Sequence, residues 1–145
     1  MKFKNIAVAF ITNKLNDRSF SIGLTLAKQF EGEITVIDCV YKKPPKFVFF
    51  ETKEDKRKAE SIKKEAKKYL EKFEEMAKEQ EIPIKTKVAH TDSIPEWILD
   101  YIKDHKADLL IIDHPHLTEF EQTYYDDMIQ KISHKIKIPL LMLRS

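Results

Sequence analysis

Two uninterrupted apolar runs near the end of the chain, Leu109 to Ile112 and Ile138 to Leu143, limit what it can fold into more than any other feature. Only Pro139 breaks the second of them. Runs without polar alternation suit strands covered on both faces, as in a parallel sheet. Between them Tyr125, Met128, Ile129, Ile132 and Ile136 recur at helical spacing, which makes the connection a crossover helix. In an open parallel sheet, ligands sit beyond the carboxyl ends of the strands. The loop Asp113-His114-Pro115-His116 is therefore where a small molecule would bind.

The remainder repeats the pattern. Phe3 to Ile11 is β-branched and aromatic and predicts a central strand. Asn16 or Asp17 caps the next helix, whose apolar face is Phe20, Leu24 and Ala27 with Ile22, Leu26 and Phe30 beside it. Gly23 falls inside that helix, where close packing on the sheet is its expected role, and Gly32 falls just past the end, the usual C′ position. Glu33 to Val40 predicts a second strand containing Cys39. A stiff loop, Tyr41 to Lys46, leads to Phe47, Val48, Phe49 and Phe50, which either close over the strand ends as a lid or form a docking patch. Thr52 caps a long helix over Lys53 to Gln80 with a stripe of Ala59, Ile62, Ala66, Tyr69, Leu70, Phe73 and Ala77. Its interleaved Lys and Glu read as a solvated face. Ile84 to Ala89 alternates, as a half-exposed edge strand does. Ser93 to Glu96 reads as a capping box with Pro95 in the first turn, opening a helix through Ile94, Trp97, Ile98 and Tyr101 to about Asp104. Thr118 to Glu121 reads as another box, with Phe120, Tyr124, Met128 and Ile132 in one stripe. The chain thus predicts a single doubly wound α/β domain, residues 1–145, with a five-stranded parallel sheet and helices on both faces.

Composition excludes several functions. A net charge of +2, with acids and bases interleaved, argues against nucleic acid as a partner. No run approaches the roughly 18 apolar residues of a membrane span, and Met1 to Lys4 leads into a strand rather than a signal sequence. The single cysteine, Cys39, precludes an internal disulfide and fits a reducing cytosol as a buried thiol. With its two glycines assigned, the chain has none left for a phosphate-cradling loop.

The chain resembles the universal stress protein family over nearly its whole length. Ile6-Ala7-Val8-Ala9-Phe10 stands where that family has its opening I-L-V-A-V, and Ala107 to Ile112 where it has A-D-L-I-V-M. Leu24 to Lys28 with Glu33 to Ile37 looks like its first helix and second strand. Ile138 to Leu143 looks like its closing C-P-V-L-V-V. The resemblance implies a Rossmann-like, adenine nucleotide alpha hydrolase-like fold, sheet order 3-2-1-4-5, and a homodimer through the last strand, carried by Leu140, Leu141, Met142 and Leu143.

Nucleotide-binding members carry G-x2-G-x9-G-[ST] after the fourth strand. Aligned without a gap, the glycine positions fall on Asp113, His116 and Asp126, and the Ser/Thr position on Asp127. The family's base-contacting aspartate falls on Ile11 and the next glycine on Thr12. Thr91 stands at the usual small residue, beside a retained Asp92, and Val40 matches the nucleoside-contacting valine. A carboxylate 4 Å from a phosphate is unfavourable by about 4 kcal/mol at an effective dielectric of 20. The expectation is a domain that binds no ATP and needs no cofactor. Helix formation from Thr118, or a break leaving Asp126 and Asp127 to satisfy a helix N-terminus, would each remove the phosphate site.

Asp113, His114 and His116, with Glu119, Asp126 and Asp127 near, include ligand types suited to a divalent metal. His90, His105 and His134 read as turn or helix-face residues without an argued partner. No G-x-S-x-G elbow is present, nor the S-G-G-x-D-S of pyrophosphatase-type relatives, so no enzyme is expected. The leading expectation is a non-enzymatic homodimeric regulatory or interaction module. The alternative is a binder of an uncharged or cationic small molecule, such as a nucleoside, in the cleft near Ile11, Val40 and Asp113.

Overall fold

A computed structural model describes residues 1–12, 14–42, 51–114 and 118–144. The strands are β1 (Asn5–Phe10), β2 (Glu33–Tyr41), β3 (Ile84–Thr91), β4 (Leu109–His114) and β5 (Leu140–Arg144), and they alternate with helices α1 (Asp17–Phe30), α2 (Lys53–Glu79), α3 (Ile94–His105) and α4 (Glu119–Lys135). All pairings are parallel, in the order β3-β2-β1-β4-β5. The doubly wound sheet expected from the alternating elements is the one observed. Phe47, Val48, Phe49 and Phe50 lie outside the described residues, as do Pro115 and His116.

Side-chain alternation along the strands divides the core in two. Ile6, Val8, Phe10, Ile34, Val36, Leu109 and Ile111 meet α1 and α2, where Phe20, Leu24, Leu70 and Phe73 complete one layer. Phe73 stacks on Phe20 at 4.2 Å and on Phe10 at 6.0 Å. Ala7, Ala9, Ile11, Ile37, Cys39, Leu110 and Ile112 face the other way, onto Ile98, Ile102, Met128, Ile129 and Ile132 of α3 and α4. The edge strand β3 is half exposed, as its alternation predicts.

Two helices extend past the sheet. Asp126 of α4 is already level with His114 and Arg144, the last residues of β4 and β5, so earlier α4 residues lie beyond the strand ends. This corrects the expected stripe: Phe120 is 88% exposed and Tyr124 50%, and burial begins at Met128. Lys72 of α2 likewise meets Asp17 at the start of α1, and Ala59 and Ile62 upstream are exposed rather than buried.

The caps differ in detail. Asn16 caps α1, its side chain accepting from the Arg18 amide. Thr52 and Asp55 form a full reciprocal box. The box expected at Ser93 does not form. Thr91 Oγ1 takes its place, accepting from the Ser93 amide at 3.0 Å and donating to the Ser93 carbonyl at 3.1 Å. At Thr118 the Glu121 carboxylate accepts from the threonine hydroxyl at 2.8 Å, so only the amide arm remains, at 3.4 Å.

Gly23 packs as expected. A Cβ there would lie 2.8 Å from Val8 Cγ2 and 2.9 Å from Ile34 Cδ1. Gly32 serves a different purpose from the one expected of a C′ glycine. The left-handed residue that ends α1 is Glu31, at φ 54°, and no glycine has positive φ. Glycine is needed at 32 because a Cβ would sit 2.7 Å from the Phe3 carbonyl oxygen and 2.8 Å from that of Lys4.

Candidate functional site

The strand ends expected to form the site carry two polar networks on opposite sides of the sheet. Consecutive strand residues point to opposite faces, so Asp113 is directed at α1 and His114 at α4.

Asp113 is buried, and its carboxylate accepts three hydrogen bonds. Ser19 Oγ donates to Oδ1 at 2.6 Å, Arg18 Nη2 to the same oxygen at 3.0 Å, and Asn16 Nδ2 to Oδ2 at 2.7 Å. All three donors come from the cap and first turn of α1. A helix N-terminus favours negative charge, and here a carboxylate of the chain itself sits against it. Arg18 continues outward, with Nη2 3.3 Å from the Leu143 carbonyl and Nη1 3.1 Å from that of Arg144.

His114 is buried on the other face, its Nε2 3.0 Å from Asp126 Oδ1, with the Gln122 amide nitrogen 3.4 Å from the same ring nitrogen. The shorter, charged contact places the proton on Nε2. Nδ1 is buried without a partner among the described residues. Arg144 approaches Asp126 at 3.8 Å.

These placements bear on three points of the sequence reading. Asp113 and His114 diverge rather than converge, and His116 lies outside the described residues. Among the described residues no group of three or more His, Cys, Asp or Glu side chains could hold a metal. Next, of the two geometries expected for Asp126 and Asp127, a helix from Thr118 is the one that forms. Both residues lie inside α4, which begins at Glu119 behind its cap Thr118. Last, the carboxylates serve separate networks, Asp113 with α1 and Asp126 with His114. Ile11 and Thr12 are buried at the end of β1, the Thr12 hydroxyl accepting from the Lys14 amide at 3.3 Å, and Val40 is half buried at the end of β2.

Asp38 escaped the sequence reading. It lies beside Phe10 and Val88, is 4% exposed, and has no hydrogen-bond partner among the described residues. Burial pushes its carboxyl up to about 6, and the neighbouring His90 opposes that shift. The signal was available: Ile34, Val36, Asp38 and Val40 share one face of an otherwise apolar strand. Arg18 and Ser19 were missed for a simpler reason, since nothing local marks two first-turn residues as partners of an aspartate so distant in sequence. Cys39 is buried as expected, and burial together with Asp38 raises its thiol pKa, which keeps it unreactive. His105 does have a partner after all, stacking on Tyr101 at 3.9 Å.

The fold and these placements can be set beside known proteins. The family model for the universal stress protein family matches residues 2–144. The chain belongs to the universal stress protein family. A member from Burkholderia pseudomallei superposes with a TM-score of 0.70 at 11% identity, covering 99% of this chain and 97% of that one. UspA from Lactobacillus plantarum gives 0.68 at 14% identity, with 99% of each chain covered. The universal stress protein from Archaeoglobus fulgidus in complex with dAMP gives 0.60 at 14% identity, with 98% of each covered. No curated protein gives a significant match. No helix among the described residues is long and apolar enough to cross a membrane.

Proposed function

We propose that this chain is a non-enzymatic universal stress protein domain that does not bind ATP and acts as a homodimeric regulatory or interaction module in the cytosol. One observation carries the reading: Asp113, on a glycine position of the family motif, is buried against the α1 N-terminus and fully engaged by Asn16, Arg18 and Ser19. Opening that place to a phosphate would leave a buried carboxylate facing an anion. The helical start of α4 at Glu119 supports the same conclusion, because residues that would have to wrap a triphosphate are committed to α-helix. Relatives are known in complex with dAMP and with AMP, and this chain would depart from those in that role. A thermal-shift series with ATP and magnesium tests it, with no rise in Tm expected.

A second reading is favoured by Asp38. A buried carboxyl without a hydrogen-bond partner among the described residues, beside Phe10 and Val88, suits a cationic or hydrogen-bond-donating small molecule in the cleft near Ile11, Val40 and Asp113. Adenosine and other nucleosides in the same series separate the two. A ligand present at 100 times its Kd adds about 2.7 kcal/mol of stability.

A further inference from the structure

A cleft of about 680 Å³ runs along α3 at the end of the sheet where β4 and β5 begin, opposite the strand ends that hold Asp113 and His114. Its shape follows from how two helices stop. α3 ends at His105, where Lys106 turns the chain at φ 54°, and α4 ends at Lys135. The backbone is extended at Ile136, and successive side chains of an extended chain point opposite ways. Ile136 and Ile138 therefore pack against the core, while Lys135 and Lys137 stay exposed. Leu99, Ile102 and Ala107 continue the apolar floor on the α3 side, and all five floor residues are buried or half-buried. Lys103 and Lys106 stand across from Lys135 and Lys137 at the rim. None of these four ammonium groups has an ion-pair partner among the described residues. The acids of the cleft, Glu96 and Asp100, lie nearer the start of α3.

We infer that this cleft binds a fatty-acid anion, with the alkyl chain on the apolar floor and the carboxylate among the four lysines. The inference is independent of the nucleotide and dimer readings. Cations in the last turn of a helix also offset its dipole. That accounts for Lys103 and Lys135, but not for Lys137 beyond α4, nor for an apolar floor left open among cations. The volume lies within the range of about 300 to 1,000 Å³ that small-molecule sites occupy. A bare inorganic anion would gain nothing from the floor, and a neutral alcohol nothing from the lysines. Glu96 and Asp100 repel a second negative charge at the far end, so the ligand carries one carboxylate. A membrane surface fits less well, because the apolar residues are recessed behind the lysines rather than projecting past them.

Isothermal titration of the full chain with sodium decanoate tests this, and saturable one-to-one binding is expected below about 1 mM. Octanoate should bind more weakly, by about fourfold for each methylene that leaves the cleft. 1-Decanol and the dicarboxylate decanedioate should each lose about tenfold. Lys103→Gln combined with Lys137→Gln should also weaken decanoate about tenfold. Lys64→Gln with Lys68→Gln, on the exposed face of α2, should leave it unchanged. Decanoate should shift amide resonances around Ala107 and Ile136 in nitrogen-15 NMR spectra. The head-group and chain-length series needs no variant, so it stands even if a substitution disturbs folding. Absence of saturable binding overturns the inference, as does equal affinity for 1-decanol or equal weakening by both lysine pairs. Resonance shifts gathered near Asp113 instead, or binding to phosphatidylglycerol vesicles without binding to decanoate, overturn it as well.

Discussion

Asp38 and Asp113 are both buried carboxyls near strand ends, yet they place opposite demands on the fold. Asp113 has three donors from the start of α1, whereas Asp38 has no hydrogen-bond partner among the described residues. The folded chain retains the Asp38 proton up to about pH 6, while an unfolded chain releases it near 3.8. Between those values the folded state binds more protons, so the contribution of Asp38 to stability falls as pH rises and stays low above the folded value. Relative to Asp38→Asn, the wild type should lose on the order of 3 kcal/mol between about pH 4 and pH 7. Urea unfolding of both proteins across that range checks it, and parallel curves would rule it out. Asp113→Ala removes the carboxylate shared by Asn16, Arg18 and Ser19, leaving Arg18 only the Leu143 and Arg144 carbonyls. It should cost about 3 kcal/mol at neutral pH in the same assay, and a loss under about 0.5 kcal/mol, the size of an ordinary surface change, would show that the network is dispensable.

At the scale of elements, the helix and strand periods were legible because burial enforces them. The alternation of strand and helix gave the parallel sheet, and the family resemblance implied its order. What could not be read was where helices outrun the sheet. Phe120 and Tyr124 continue a helical stripe in sequence, but the strands beneath have ended by Asp126, so periodicity alone overstates the core. Ser93 shows a similar limit. Its box has the right residue types, and Thr91 competes for the same amide. The two glycines give an ordering that can be measured. Gly32→Ala sets a Cβ against the backbone carbonyls of Phe3 and Lys4, which are fixed by the sheet, while Gly23→Ala meets the side chains of Val8 and Ile34, which can shift. Gly23→Ala should cost about 1 to 2 kcal/mol after the gain in helix propensity, and Gly32→Ala more than that. Thermal melts showing the reverse order would contradict the close-approach explanation.

At the scale of the whole molecule, the candidate site was only half legible. The sequence placed Asp113, Asp126 and Asp127 at family motif positions and so pointed to a lost phosphate cradle. It did not reveal that Asp113 and His114 serve opposite faces, because that depends on which strand residue ends up over which helix. The observed arrangement is two separate networks, one of which reaches the Leu143 and Arg144 carbonyls at the end of β5 through Arg18. The module proposed above is a homodimer. Sedimentation at micromolar concentration should give about twice the chain mass of 17.1 kDa, and a clean monomer would count against it. The most direct test of the central claim is isothermal titration of the wild-type protein with magnesium ATP. No binding heat up to millimolar nucleotide is expected, since Asp113 already occupies the α1 N-terminus. Saturable one-to-one binding at micromolar concentration, abolished by competing AMP, would contradict it.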